Sequence, residues 1–368
     1  MSKVIISGGG TGGHVFPAIA IADELKKRRP DIDILFVGAE GKIEMEKVPK
    51  AGYPIKGLWI SGFHRKLTLR NLMFPFKLLS SLWKSYWIVK SFKPDVAVGT
   101  GGFASGPVLQ IANFFDIPTL LQEQNSYAGV TNKLLSKKAN TICVAYDQME
   151  RYFPSNKIVI TGNPVRKDIA EGNADRGKAY SHFGLDPDKQ TIIIVGGSLG
   201  ARSLNEGVRA SYELLKANPD VQLLWQCGKL YIEEFATCES AKLPHVKASA
   251  FIDRMDLAYA MADVVIARSG ASTISELCIA GKATVLVPSP NVAEDHQTKN
   301  AQALELKEAA VLVRDSEVKE KMLATALEIL RDKNRQRSLE DNILKMAKPK
   351  AAESIAEEVM KLIDRTKE

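Results

Sequence analysis

Lys3-Val-Ile-Ile-Ser7 runs without a break into Gly8-Gly-Gly-Thr-Gly-Gly-His14. Such an apolar run reads as a buried strand of a parallel sheet. The glycines after it let backbone N–H groups approach an anion, and the helix that follows adds partial positive charge at its N-terminus. Gly8, Gly10 and Gly13 also carry the G-x-G-x-x-G spacing of dinucleotide sites. The pattern recurs twice. Asp95-Val-Ala-Val98 leads into Gly99-Thr-Gly-Gly-Phe-Ala-Ser-Gly106, and Thr191-Ile-Ile-Ile-Val195 leads into Gly196-Gly-Ser-Leu-Gly-Ala-Arg202. One loop of this kind is as well explained by a tight turn between strand and helix. Three of them point to phosphate-rich ligands.

Working outward, short apolar strands are predicted at 3–7, 32–37, 95–99, 118–122, 140–144 and 157–161, and again at 191–195, 221–226, 263–267 and 283–287. Helical stretches alternate with them near 14–29, 71–92, 104–115 and 129–138, then 201–217, 229–240, 271–281 and 295–308. Alternation of this kind predicts an α/β fold with doubly wound parallel sheets. The unit at 191–217 echoes the unit at 3–29, so two similar Rossmann-like domains are expected, 1–162 and 163–350, facing across a cleft. The hinge falls at Gly162-Asn-Pro-Val-Arg166, before the polar run Glu171-Gly-Asn-Ala-Asp175. Charged helical sequence fills 316–347. Pro349 interrupts it, and a last amphipathic helix within 351–368 is expected to pack back on the first domain. All three glycine loops sit at strand C-terminal ends, where open α/β sheets bind ligands.

The chain of 368 residues is 45% hydrophobic, enough for real cores. Met1-Ser-Lys3 enters a strand directly and lacks a signal-peptide pattern. Cys143, Cys227, Cys238 and Cys278 show no C-x-x-C spacing and read as reduced, packed thiols, with no zinc site. The net charge of +7 is uneven: from Lys47 to Pro94 there is no Asp or Glu. That asymmetry points to an anionic partner, nucleic acid or a membrane surface. The residues between the charges favour the membrane. Leu72, Phe76, Leu79, Leu82, Trp83 and Tyr86 share a helical face, with Lys77 and Lys84 on the other side. Pro75 and the lysines exclude a spanning helix and leave an interfacial one. The alternative is a stripe that packs on the sheet.

Several residues are placed to do chemistry. His14 closes the first loop at a helix start, which disfavours the imidazolium and leaves a neutral ring able to accept a proton. The alternative is a histidine that only bonds backbone. Ala267-Arg-Ser-Gly-Ala-Ser-Thr-Ile-Ser-Glu276 is a second strand-to-helix entry, with Glu276 one turn deeper, where a carboxylate accepts from the vicinal hydroxyls of a ribose. Glu294-Asp-His-Gln297 opens another helix, and Gln297 suits sugar hydroxyls. In Gln122-Glu-Gln-Asn125, Asn125 is a candidate sugar reader and Glu123 a lesser candidate base. Asp31-Ile-Asp33 matches a D-x-D metal pattern but opens a strand, away from the loops, so no metal ligand is predicted there.

Together Gly8–His14, Gly101-Gly-Phe-Ala-Ser-Gly-Pro107, Glu123-Gln-Asn125, Gly162–Arg166, Gly196–Ala201 and Arg268-Ser-Gly-Ala271 with Glu276 resemble the MurG family of peptidoglycan glycosyltransferases, in order along nearly the whole chain. The resemblance implies a glycosyltransferase type B fold. It also implies inverting transfer of N-acetylglucosamine from its UDP donor to the 4-hydroxyl of undecaprenyl-pyrophosphoryl-N-acetylmuramoyl-pentapeptide. The implied place is the cytoplasmic face of the bacterial inner membrane, with a role in cell shape and division. It implies no cofactor, no metal and no nucleic acid. The implied partners are the donor, the lipid-linked acceptor, an anionic membrane surface and other cell-wall synthesis proteins. By the same resemblance the donor meets Thr11, Gly12, Gly13, Asn125, Arg166, Ser198, the backbone of Ile252 reading uracil, Ala271, Ser272, Thr273, Ile274, Ser275, Glu276 and Gln297. Gly101, Gly102 and Ser105 would meet the acceptor pyrophosphate. Where the family often has a second Gln after Gln297, this chain has Thr298, which contributes less to sugar selection.

Three other readings compete. A nicotinamide oxidoreductase would use Gly8–Gly13, but needs an acid at the end of the second strand, where Glu40 comes late, and leaves the third loop idle. A UDP-sugar epimerase would not need the basic, Trp-bearing stretch. A non-catalytic membrane-bound nucleotide sensor would be separated from an enzyme by mutating His14.

Overall fold

A computed structural model describes residues 2–62, 73–197 and 199–366. It divides into two compact units, Met1–Val165 with Lys350–Glu368, and Arg166–Pro349. Each is a parallel sheet covered by helices.

The first unit has seven strands: β1 (Lys3–Ser7), β2 (Asp33–Ala39), β3 (Ile55–Leu58), β4 (Val96–Gly99), β5 (Thr119–Glu123), β6 (Thr141–Val144) and β7 (Ile158–Ile160), in the order β3-β2-β1-β4-β5-β6-β7. β1 is central, and its alternating side chains feed two cores. Val4 and Ile6 meet helices Gly12–Arg28 and Ala351–Arg365 through Ile21, Leu25, Ile355 and Val359. Ile5 meets Ile88 and Val89 of helix Phe74–Phe92 and Val108 and Leu109 of helix Ser105–Phe114. Burial on both faces is why β1 is continuously apolar. The C-terminal helix buries Ile355, Ala356, Val359, Leu362 and Ile363, one stripe at helical spacing. Its exposed ion pairs, Glu357 with Arg28 and Asp364 with Arg29, add little beside that stripe.

The second unit has six strands: β8 (Gln190–Val195), β9 (Val221–Gln226), β10 (Val246–Ser249), β11 (Val264–Ala267), β12 (Ala283–Leu286) and β13 (Val311–Leu312), in the order β10-β9-β8-β11-β12-β13. Its core joins Ile192, Ile194, Trp225, Val264 and Val285 to Leu323, Leu327 and Leu330 of the late helices.

Three strands were not predicted from the sequence: β3, β10 and β13. All are sheet edges of two to four residues, paired on one side only. So short a run carries no readable period. Two predicted helices are broken. Within 201–217 the chain forms Arg202–Ala210 and Tyr212–Lys216, separated at Ser211, whose hydroxyl donates to the Gly207 carbonyl at 2.8 Å. Within 229–240 only Ile232–Phe235 is helical, followed by a 3-10 turn at Glu239–Lys242.

Candidate active site

In the first unit two glycine loops lie back to back, because β1 and β4 are neighbours and Ser7 faces Gly99. The His14 Nδ1 lies 2.9 Å from the Thr100 carbonyl oxygen, and the Thr100 hydroxyl donates to the His14 carbonyl at 2.9 Å. A carbonyl only accepts, so Nδ1 carries a ring proton, and in the neutral ring Nε2 then holds the lone pair. Gln124 Oε1 also lies 3.1 Å from Nδ1. Gly101 and Gly102 adopt φ of +91° and +80°. A Cβ on Gly101 would come within 3.0 Å of the His14 ring, and one on Gly102 within 2.2 Å of the Gly9 carbonyl oxygen. Only glycine serves at either position.

Thr11 is the N-cap of helix Gly12–Arg28. Its side chain makes no capping bond, and the first turn holds no acid. The N–H groups of Gly12 and Gly13 therefore open a helix start suited to an anion. Ser105 is buried and donates to the Gly102 carbonyl at 2.9 Å, so its hydroxyl shapes the second loop. Glu123, 2% exposed, is likewise internal. Its carboxylate accepts from the Asn125 N–H (3.1 Å), the Gly129 N–H (3.0 Å) and the Asn132 amide (2.9 Å). That corrects its reading as a base: it is the scaffold of the turn that presents Asn125.

In the second unit β8 ends at Val195 and Gly196 and Gly197 lead toward helix Arg202–Ala210. Ser198 lies outside the described residues. A cavity of about 680 Å³ opens here, lined by Gly196, Gly197, Arg202, Thr273, Asn291 and Gln297 among others. Its wall holds a network that sequence reasoning missed. The Arg268 guanidinium donates to the Val287 and Pro288 carbonyls (3.1 Å each), to Asp315 (2.6 Å) and to the Ser203 hydroxyl (2.6 Å), and Ser203 donates to Asp315 at 2.6 Å. The partners lie 19 to 65 residues from Arg268 in the chain, so only its place at the end of β11 hinted at them. Gln297 Oε1 accepts from the Ser289 N–H at 2.8 Å. Just before its helix, Glu294 and Asp295 both take left-handed backbone, φ 56° and 52°, a strained arrangement that clusters at ligand sites. The Thr298 hydroxyl is held by Asp295 at 2.6 Å.

Helix Ala271–Ala280 starts at Gly270 with no side-chain cap and no acid in its first turn, again a start suited to an anion. Ile274 is buried in the core, and the Ser275 hydroxyl donates back to the Ala271 carbonyl at 3.0 Å. Glu276 lies between Arg166 Nε (3.4 Å) and the buried Tyr259 hydroxyl, which donates at 3.1 Å. Burial raises the Glu276 carboxyl above the ordinary glutamate range, and the Arg166 charge opposes that rise. Tyr259 was not predicted; nothing in its local sequence marks it. Ile252 is buried just beyond β10, which leaves only its backbone for a ligand. Burial pushes the Cys227 and Cys278 thiols up to about 12, which removes them as nucleophiles at neutral pH.

The basic helix is Phe74–Phe92; Leu72 lies outside the described residues. Its inward positions are Ser81, Ser85, Ile88 and Val89, while Phe76, Leu79 and Trp83 are each about two-thirds exposed, at 64%, 65% and 66%. Those three are therefore not core, while Leu82 and Tyr86 of the same stripe are half-buried. Lys77 and Lys84 are both engaged within the fold, Lys77 donating to the Ser61 hydroxyl (3.1 Å) and Lys84 to Glu40 (2.9 Å). Among the described residues no helix is long and apolar enough to cross a membrane. β2 opens at Asp33, so Asp31-Ile-Asp33 lies at the strand end opposite the loops. Among the described residues no group of three or more His, Cys, Asp or Glu could hold a metal ion.

Residues 4–144 match the glycosyltransferase family 28 N-terminal domain, and 191–359 the family 28 C-terminal domain. A Flavobacterium psychrophilum protein named UDP-N-acetylglucosamine--N-acetylmuramyl-(pentapeptide) pyrophosphoryl-undecaprenol N-acetylglucosamine transferase is 55% identical over 365 residues, 99% of each chain. A Bacteroides thetaiotaomicron protein of the same name is 53% identical over 364 residues, 98% of each. The crystal structure of Acinetobacter baumannii MurG superposes with a TM-score of 0.81 at 29% identity, covering 98% of this chain and 100% of that one. A Neisseria meningitidis UDP-GlcNAc 2-epimerase shares the fold alone, with a TM-score of 0.67 at 13% identity, covering 98% and 100%. Both halves of the family pattern follow in order on one chain, so the chain belongs to glycosyltransferase family 28, in its MurG branch, and its two parallel-sheet units are the domains of a type B glycosyltransferase fold.

Proposed function

We propose that this protein transfers N-acetylglucosamine from UDP-N-acetylglucosamine to the 4-hydroxyl of an undecaprenyl-pyrophosphoryl-N-acetylmuramoyl-pentapeptide, the lipid I to lipid II step. The observation that carries it is identity above half over almost the whole chain to enzymes named for that reaction.

In this reading the second unit holds the donor. The Ile252 backbone reads uracil, Glu276 accepts from the ribose hydroxyls, and the helix starts at Gly270 and Ala201 meet the diphosphate. Gln297, its oxygen already occupied by Ser289, turns its amide nitrogen to the sugar. The first unit takes the acceptor pyrophosphate at Gly101 and Gly102. The acceptor O4 attacks the donor C1 as the C1–O bond to UDP breaks, inverting that centre. The O4 proton passes to His14 Nε2, the nitrogen that the Thr100 carbonyl leaves as the base. UDP departs with its charge met by helix-start N–H groups, so we infer that no metal is required. The outward face of Phe76, Leu79 and Trp83 would rest on the anionic cytoplasmic leaflet, where other cell-wall synthesis proteins would be met.

The direct test is UDP release from UDP-N-acetylglucosamine and a short-chain acceptor in EDTA. Turnover should survive; loss of turnover restored by magnesium or manganese would overturn the metal-free step. His14→Ala should lower kcat by about 10²–10⁴-fold with UDP affinity kept, and a wild-type rate would exclude it as the base. Glu276→Ala should weaken UDP binding by roughly 1.5–3 kcal/mol. The ribose hydroxyls need the carboxylate form, so wild-type UDP affinity should fall as pH drops, starting at a less acid pH than an ordinary glutamate would give. Calorimetry with equal affinity in the variant, or no acid weakening in the wild type, contradicts this role. Leu79→Glu with Trp83→Glu should release the protein from vesicles of anionic phospholipid in sedimentation, and undiminished binding would place the membrane surface elsewhere.

A further inference from the structure

The carboxylate of Glu44 is 1% exposed and sits against the first glycine loop. The Gly10 N–H donates to both of its oxygens, at 3.0 and 3.1 Å, and the Ala39 N–H donates to Oε1 at 2.9 Å. Such charge-assisted bonds are about twice as strong as neutral ones. The neighbouring glycines fit around it. A Cβ on Gly9 would lie 2.0 Å from Oε1, and one on Gly38 2.5 Å from the Glu44 Cγ. On its other side Gly10 meets the Phe103 ring, 2.8 Å from where a Cβ would stand. Gly10, at φ +89°, is thus gripped between a carboxylate and an aromatic ring. The segment that follows is Thr11–His14.

We propose that Glu44 is a positioning residue: it is the resident anion of the first glycine loop, and it fixes the path of Thr11–His14 and hence the place of the base. The consequence is specific. The Gly10 N–H faces an internal carboxylate and is not a phosphate donor, and a substrate phosphate beside it would meet like charge. The donors this loop offers a ligand begin at Gly12. The proposal rests on the reading of His14 as the base.

The test uses the full chain, with the amide signals of Gly10 and Ala39 followed by NMR and the kinetics measured in parallel. In the wild type both amide protons should lie far downfield, and inorganic pyrophosphate should leave Gly10 unmoved. Glu44→Gln, close in shape but uncharged, should shift both amides upfield. It should also lower kcat by about 10–100-fold, as expected for a displaced catalytic group, and Glu44→Asp should recover part of that loss. A Gly10 amide that moves with pyrophosphate in the wild type overturns the proposal. So does a wild-type kcat in Glu44→Gln. If the chain fails to transfer N-acetylglucosamine at all, the proposed activity falls, while the amide shifts still decide what Gly10 binds. If Glu44→Gln does not fold, the wild-type pyrophosphate titration decides alone.

Discussion

Two stretches of bare backbone can touch only where neither carries a side chain, and the first unit is organised around one such contact. The Gly9 carbonyl lies where a Cβ on Gly102 would be, and the Thr100 hydroxyl lies where a Cβ on Gly8 would be, 1.9 Å away. That closeness allows His14 and Thr100 to bond each other's backbone. The same bonds choose the histidine tautomer. The His14 ring, the loop path and the helix start are thus set together. They depend on β1 and β4 being adjacent, which their burial on both faces secures. The second unit solves the problem differently. There Arg268 ties strand ends to Asp315 and Ser203 through side chains, so its cavity wall is ionic where the first loop is backbone on backbone.

How much of this is readable without coordinates follows burial. β1, β8 and β11 are central, apolar and continuous, and their predicted bounds lie within a residue of those observed. β3, β10 and β13 owe their existence to a neighbour already in place, so their own residues announce little. The same division holds in the sites. His14 and Glu276 stand inside glycine-marked entries and are visible as candidates. Asp315, Tyr259 and Glu44 act on those entries from distant positions, through bonds that no local pattern encodes. Glu123 shows the opposite failure. Its sequence neighbours suggested a base, and its inward-facing bonds make it a scaffold.

Helix Phe74–Phe92 is apolar on two faces, with Ile88 and Val89 in the core and a second set of large side chains in solvent. Serines at 81 and 85 face the unit's interior, and Ser81 donates to the Trp59 carbonyl at 3.1 Å. On the outer side Trp83, Tyr86 and Trp87 pack on one another with ring centroids 5.5 to 6.3 Å apart. An apolar stripe in a sequence states that one face avoids water; it does not state what covers it. Here the small inward residue Ser81 reaches the Trp59 carbonyl just after β3, and the exposed aromatic face is an apolar surface of the sort that marks an interaction site.

The C-terminal helix has a consequence for how the molecule is made. The first unit is built from the beginning and the end of the chain, with the whole second unit between them. On a ribosome, Ile21, Ala22 and Leu25 of helix Gly12–Arg28 emerge early, yet Ile355, Val359 and Ile363 that pack in the same core are made only after the whole second unit. Domains generally fold as units during synthesis, from the N-terminus onward. This chain inverts that order, since its middle unit is covalently complete while its first still lacks a helix. A greasy strip of the first unit thus stays open to chaperones, and to wrong partners, until helix Ala351–Arg365 has emerged.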